Sequence, residues 1–424
     1  MTNNKITKDT SCMDDFDKNS ITTDQAIEQI FNTISPIAEN EIIPIRESIN
    51  RILGENIESK INVPSARNSA MDGYAINKKD IPKEKTKTLK IIGKSLAGSP
   101  FTKPIHNGEC VRIMTGAVMP VEVDTVVIQE NVSISDTNTE IIIDNNTKPE
   151  ANVRQAGEDI LAGDIVLKKG KNLTPADIGL LASLGLSQIP VTRKLKVAFF
   201  STGNELRSIG ENLAVGEIYD SNRYTLYAML SRLNVEIIDL GVIQDDVELL
   251  KQAFYKATEQ ADLLITSGGV SVGEADYVKD ILIDQGNMNF WKVAIKPGRP
   301  LTYGKLGDTL FFGLPGNPVS VMVTFYQFVQ PAIKKLSGDS SDLPMAIKIP
   351  SATRLKKKPG RVEFQRGIIK KDNDNNVVVE KTGPQGSGIL RSMSDANCFI
   401  ILPLDSETIE PGDLVEVQLF NGVI

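Results

Sequence analysis

LKVAFFST (195–202), RYTLYAMLSRL (223–233), VEIIDLGVI (235–243), VELLKQAFYKATEQ (247–260) and ADLLITS (261–267) follow one another closely and decide the fold. The first, third and fifth are short apolar runs, the signature of buried strands. The second and fourth carry apolar residues at helical spacing. A glycine loop and ADYVKDILIDQG (275–286), predicted helical, come next. TLFFGLPGNP (309–318) then leads into the apolar segment VSVMVTFYQFVQPAIKKL (319–336). Apolar strands alternating with amphipathic helices imply βαβ units and a parallel sheet covered on both faces. Residues 195–337 therefore read as a doubly wound α/β domain. Such sheets bind ligands beyond the carboxyl ends of their strands, so function is sought in those loops.

Outward from this segment the texture changes. Thr22 and Gln25 fit a capping box ahead of Ala26, Ile27, Ile30, Phe31 and Ile34 at helical spacing. Between 56 and 159, β-branched runs at 89–92, 125–128 and 140–143 alternate with Gly, Pro and Asn clusters, which predicts a β-rich domain. Thr174 and Pro175 start a second helix. Its expected partner is the first helix, so that 21–55 and 160–194 form one discontinuous helical linker domain. Residues 338–424 return to short strands and predict a barrel-like β domain, and 1–20 read as a polar, disordered tail. The fold class is thus multidomain α/β plus β: one doubly wound parallel-sheet domain, two β-rich domains and a small helical linker.

Composition narrows the chemistry. The 424 residues carry 47 basic and 54 acidic side chains, a net charge of −7, which argues against a nucleic-acid groove. No run of eighteen apolar residues and no signal-peptide core appears, so the cytoplasm is the expected address, without a membrane span. A single histidine, His106, and three scattered cysteines, Cys12, Cys110 and Cys398, supply neither an HExxH nor a CxxC zinc site. No GxGxxG follows a strand and no P-loop is complete. Catalysis is left to carboxylates, lysines, arginines, hydroxyls, backbone amides or a cofactor.

Four loops concentrate polar residues. STGNE (201–205) and Asp245-Asp246 each read in isolation as a turn or helix cap. SGGVSVGEAD (267–276) opens with three glycines and two serines in seven residues, which lets backbone amides converge on an anion. GLPGNP (313–318) reads as a rigid strand-to-helix turn. In WKVAIKPGRP (291–300), Lys292 and Lys296 share a face if the segment is one extended strand, and two like charges so placed call for an anion between them. RLKKKPGR (354–361) carries five positive charges and reads as a solvated strand and turn.

Eight strings together resemble one family. NSAMDGYA (68–75), RIMTGAVMP (112–120), AGEDI (156–160), STGNEL, GEIYDSNRY (216–224), SGGVSVGEADYVK (267–279), KPGRP (296–300) and GLPGNPVS (313–320) occur in the order found in molybdopterin molybdenumtransferases, the MoeA and gephyrin E-domain family. The resemblance implies an elongated four-domain subunit, a homodimer with a shared cleft, and a reaction in which adenylylated molybdopterin and molybdate give molybdenum cofactor and AMP with Mg²⁺. It carries catalytic roles onto Thr115, Asp159, Glu205, Asp245, Asp276, Lys292 and Lys296. It carries substrate binding onto Ser69, Asp72, Ser267, Gly268, Gly269, Ser271, Gly273, Arg299, Pro315 and Pro318. Glu205, Asp245 and Asp276 are the implied metal ligands, with oxygen donors suited to Mg²⁺. Arg67 departs from the family pattern, since many members have an acid there. The alternatives are the related molybdopterin adenylyltransferase and a gephyrin-like scaffold. The expected protein contacts are that adenylyltransferase and the enzymes that accept the cofactor.

Overall fold

The computed structural model describes residues 20–268, 287–342 and 345–420. Its central sheet runs in the order Glu236–Ile243, Lys196–Thr202, Leu263–Ser267, Thr309–Leu314, Pro300–Leu306, Asn287–Lys292. The first three pairings are parallel and the last two antiparallel, so the sheet is mixed rather than wholly parallel as the sequence predicts. The cause is local: Pro300–Leu306 and Thr309–Leu314 are joined by a tight turn, which only antiparallel neighbours allow. Phe199 and Phe200 point to opposite faces, as successive strand residues must. Phe200 packs with Phe254 and Phe311 under helix Val247–Gln260. Phe199 and Phe312 pack on the other face with Leu226 and Leu230 of helix Ser221–Ser231 and with the segment from Val319 to Ile333. That last segment is a single helical run whose middle, Phe325–Val329, opens into a π turn just before Pro331.

Helix Thr23–Thr33 has the expected capping box on Thr22 and Gln25. Its partner differs from the expectation. Ala26 and Ile30 join the core of the α/β domain, whereas Leu181 of helix Pro175–Ser183 packs with Ile43, Leu53 and Ile189. Periodicity marks a buried face but not what covers it. The linker is held instead by strands, Asn40–Pro44 against Gln188–Thr192 and Ile57–Glu58 against Ile165–Leu167. Between these pairs lies a six-stranded sheet in the order Thr125–Ile128, Gly73–Ile76, Glu109–Ile113, Thr86–Ser95, Glu140–Asp144, Ser133–Ile134. At the other end of the chain, Val362–Lys371 pairs with both Val377–Lys381 and Cys398–Leu402. Leu414–Leu419 and Ile347–Pro350 follow, and a Ser351–Val379 bridge closes the ring.

Arg193 ties the linker to the α/β domain. Its guanidinium donates to both Asp262 oxygens at 2.7 and 2.8 Å and also pairs with Glu39. Burial alone would raise the Asp262 carboxyl, but the Arg193 bonds and the Lys196 amide outweigh it and hold the group below the ordinary carboxylate range. A carboxyl with a depressed folded value stabilises fully above its unfolded value of ~4 and loses that contribution as pH falls through the folded value. Asp262→Asn is therefore expected to cost about 2 kcal/mol at neutral pH and progressively less in acid, read from urea midpoints. A cost independent of pH would show that the charge is not what holds this junction.

Candidate functional site

The carboxyl ends of the four parallel strands open onto one cavity of ≈ 780 Å³. Thr202, Gly203 and Glu205 reach it from the first loop, Asp245 from the second, Ser267 and Gly268 from the third, and Pro315 and Pro318 from the fourth. Further lining comes from 218–222, from 295–300 and from Arg361, Gln385, Gly386 and Ser387 of the C-terminal barrel. The lining carries the carboxylates Glu205, Asp220 and Asp245 together with the cations Lys296, Arg299 and Arg361.

Hydrogen bonds fix the strand-end loops. Thr202 Oγ1 donates to Asp245, and Asn204 Oδ1 accepts from the Asp245 amide at 3.2 Å, so the first loop clamps the second. Asn222 Nδ2 donates to Ser267 Oγ at 2.9 Å and to the Gly316 carbonyl at 2.7 Å, tying the third loop to the fourth. Because a carbonyl only accepts, this second bond fixes which way the Asn222 amide points. Asp220 Oδ1 caps helix Ser221–Ser231 through the Arg223 amide, while Asp220 Oδ2 is buried without a hydrogen-bond partner among the described residues. Gly268 has φ +91°, and a Cβ there would lie 2.5 Å from the Thr202 carbonyl oxygen. Both terms oppose a side chain. Gly268→Ala is expected to cost about 2 kcal/mol and to raise hydrogen exchange at 201–205 and 266–268. Unchanged exchange there would show that the two strand ends are not packed this closely.

The lysine expectation is corrected. Strand Asn287–Lys292 ends at Lys292, and Ile295–Lys296 crosses to pair with Val362 and Glu363 in the barrel sheet. The two lysines therefore do not share one strand face, and Lys292 does not line the cavity. Lys296 does, with its Nζ 3.1 Å from Glu363 Oε1. The solvated reading of 354–361 also fails at two positions, because Lys357 is buried and Arg361 lines the cavity.

Other candidates lie elsewhere in the single chain. Asp72 Oδ1 accepts from the Thr115 amide and hydroxyl, both at 2.7 Å, and these bonds hold its carboxyl below the ordinary range. Ser69 is buried with its hydroxyl spent on the Met71 carbonyl. Asp159 is exposed, its amide bound to the Val63 carbonyl. Arg67 donates to the Val123 carbonyl at 3.4 Å. None of these lines the cavity. Gly269, Ser271, Gly273 and Asp276 lie outside the described residues.

Residues 21–185 match the family model of the MoeA N-terminal region (domain I and II), 198–335 that of a probable molybdopterin binding domain, and 348–420 that of the MoeA C-terminal region (domain IV). The molybdopterin molybdenumtransferase of Haemophilus influenzae is 44% identical over 405 residues, spanning 95% of this chain and 100% of that one. The chain belongs to the molybdopterin molybdenumtransferase (MoeA) family. A molybdopterin molybdenumtransferase from a Nostoc species is 34% identical over 402 residues, 92% of either chain. The crystal structure of the molybdopterin biosynthesis MoeA protein from Pyrococcus horikoshii superposes with a TM-score of 0.83 at 28% identity, covering 95% of this chain and 100% of that one. In this MoeA family member no helix among the described residues is long and apolar enough to cross a membrane.

Sequence reasoning missed Asp220, Asn222, Arg361, Gln385 and Ser387 as cavity residues. Asp220 and Asn222 carried a signal, since GEIYDSNRY ends a loop at a helix N-cap beside the strand ends. Arg361 and Ser387 had none, because only the docking of the barrel brings them to the cavity.

Proposed function

We propose that the cavity binds adenylylated molybdopterin and molybdate, and that the protein inserts molybdenum into the pterin dithiolene with release of AMP. One observation carries this reading: a single cavity at the strand ends is lined both by carboxylates, Glu205, Asp220 and Asp245, and by cations, Lys296, Arg299 and Arg361. Molybdate and the pyrophosphate link are anions that those cations would receive. Hydrolysis of that link breaks one P–O bond; water supplies the new oxygen and leaves a proton for one of the carboxylates. Asp245, oriented by Thr202 and Asn204, is proposed for that role with Glu205 beside it. The dithiolene sulfurs belong to the substrate, so buried Cys110 and Cys398, whose thiols burial pushes up to about 12, have no role in the chemistry.

No three His, Cys, Asp or Glu side chains form a metal shell among the described residues. Mg²⁺ nevertheless takes one or two carboxylates and completes its shell with substrate phosphates and water, which Glu205 and Asp245 suit. Bound there, it would offset the charge of the pyrophosphate. Asp276 is the proposed third ligand.

A homodimer in the cytoplasm is proposed, with Thr115, Asp72 and Asp159 of one chain completing the cleft of the other. Thr115 and Asp159 are exposed in the single chain. The proposed domains are 21–55 with 160–194, 56–159, 195–337 and 338–424, with helix Thr23–Thr33 of the first docked on the core of the third. The adenylyltransferase that makes the substrate and the enzymes that take the product are the proposed protein contacts. Incubation with adenylylated molybdopterin should release AMP only when molybdate is added. Pyrophosphate release from ATP and molybdopterin would instead indicate the adenylyltransferase, and a dimer inactive at saturating substrates would indicate a scaffold.

A further inference from the structure

Arg366 sits mid-strand in Val362–Lys371, opposite Phe399, and is 1% exposed. No carboxylate lies within ion-pair distance of it among the described residues, and burial alone pulls its guanidinium down to about 10. It is still charged at neutral pH. An unpaired buried cation is costly, and an apolar side chain would fill the same volume without that cost. Its bonds indicate what the charge is for. Nε donates to Ser392 Oγ and Nη2 to the Gly386 carbonyl, both at 3.0 Å. The Arg366 amide donates to Gln385 Oε1 at 2.8 Å, and its carbonyl accepts from the Thr382 amide at 2.9 Å and from Gln385 Nε2 at 3.3 Å.

Every one of these partners lies in the 382–392 loop or, for Ser392, in the first turn of the helix Arg391–Ser394 that ends it, and Gln385, Gly386 and Ser387 of this loop line the cavity. The Gly386 carbonyl accepts from Arg366 and, at 3.3 Å, from the Ile389 amide of its own loop, and the Ser387 carbonyl from the Val319 amide at 3.0 Å. Two acceptors that would repel an anion are thereby engaged within the protein, and the loop lines the same cavity as Arg361.

We propose that Arg366 is a positioning residue, which holds the 382–392 loop with its carbonyls withdrawn so that this wall of the cavity receives an oxyanion of the substrates. The inference rests on the molybdenum-insertion reading. The oxyanion is either molybdate or the pyrophosphate of the adenylylated pterin, and separate KM values for the two substrates tell them apart.

Arg366→Lys, which keeps the charge but not the forked donors, is expected to raise one of these KM values about tenfold, with kcat changed less than threefold. Amides in 382–388 should exchange faster while the thermal midpoint of the rest of the protein holds. Ser392→Ala removes a single partner and should shift the same KM in the same direction by less. It carries the test if Arg366→Lys fails to fold. A raised KM for molybdate assigns the wall to molybdate, and a raised KM for the adenylylated pterin assigns it to the pyrophosphate; either supports the proposal. Unchanged KM values, or losses of kcat that merely track lost stability, would overturn it. If the wild-type protein shows no molybdate-dependent AMP release, the insertion reading fails by itself. Inorganic molybdate and inorganic pyrophosphate titrated calorimetrically into wild type and Arg366→Lys still test the loop: equal affinities for both anions would overturn the role of Arg366, and a weaker one in the variant would support it.

Discussion

Glu205→Gln and Asp245→Asn should each lower molybdate-dependent AMP release by about 10²- to 10³-fold while leaving the thermal midpoint within a few degrees of wild type. Both carboxylates line the cavity from loops rather than from the core. Asp245 gives up only the bond from Thr202, and its amide bond to Asn204 survives the substitution. The amide side chains match the carboxylates in shape but cannot accept a proton or hold a divalent cation, so the loss should fall on kcat. A loss confined to KM would place the two residues in substrate binding and remove them from the chemistry. Retention of full activity in both variants would remove this cavity from the reaction altogether.

The second large effect is expected at a residue that does not line the cavity. Gly73 lies on a central strand of the β-rich sheet, between Ile113 and Ile128. A Cβ on it would stand 2.0 Å from the Val127 carbonyl oxygen, which is backbone and cannot swing aside. Gly73→Ala must push the paired strands away from each other, at a cost of about 3 kcal/mol. Protection from hydrogen exchange should fall across 73–76 and 125–128, while the strands at 196–202 and 263–267 keep theirs. Unaltered protection at 73–76 would mean that the sheet opens there without penalty.

How much of this was legible in the sequence depends on what each pattern encodes. Continuous apolar strands such as 196–202 announce a sheet buried on both faces, and the polar residues just beyond them announce the cavity. The capping boxes at Thr22 and Thr174 are local chemistry and were readable as such. Partner choice was not. The stripe of Ala26 and Ile30 fits any apolar surface, and only the fold shows that the α/β core takes it. The lysine pair misled because even spacing implies a shared face only while the chain stays in one strand, and the backbone changes sheets between Lys292 and Lys296. Arg361 and the buried Lys357 were hidden for a related reason: a run of positive charge looks solvated until a barrel folds around it.

The antiparallel pairing of Glu58 with Ile165 has a consequence for how this chain can be edited. Directly opposed residues of such a ladder stand about 5 Å apart, so everything from 59 to 164 leaves and returns through one narrow gate. A two-residue turn spans that gap. The β-rich unit is thus an insertion, excisable from a scaffold whose two halves already hold each other by strand pairing, and replaceable by another unit whose ends lie equally close together.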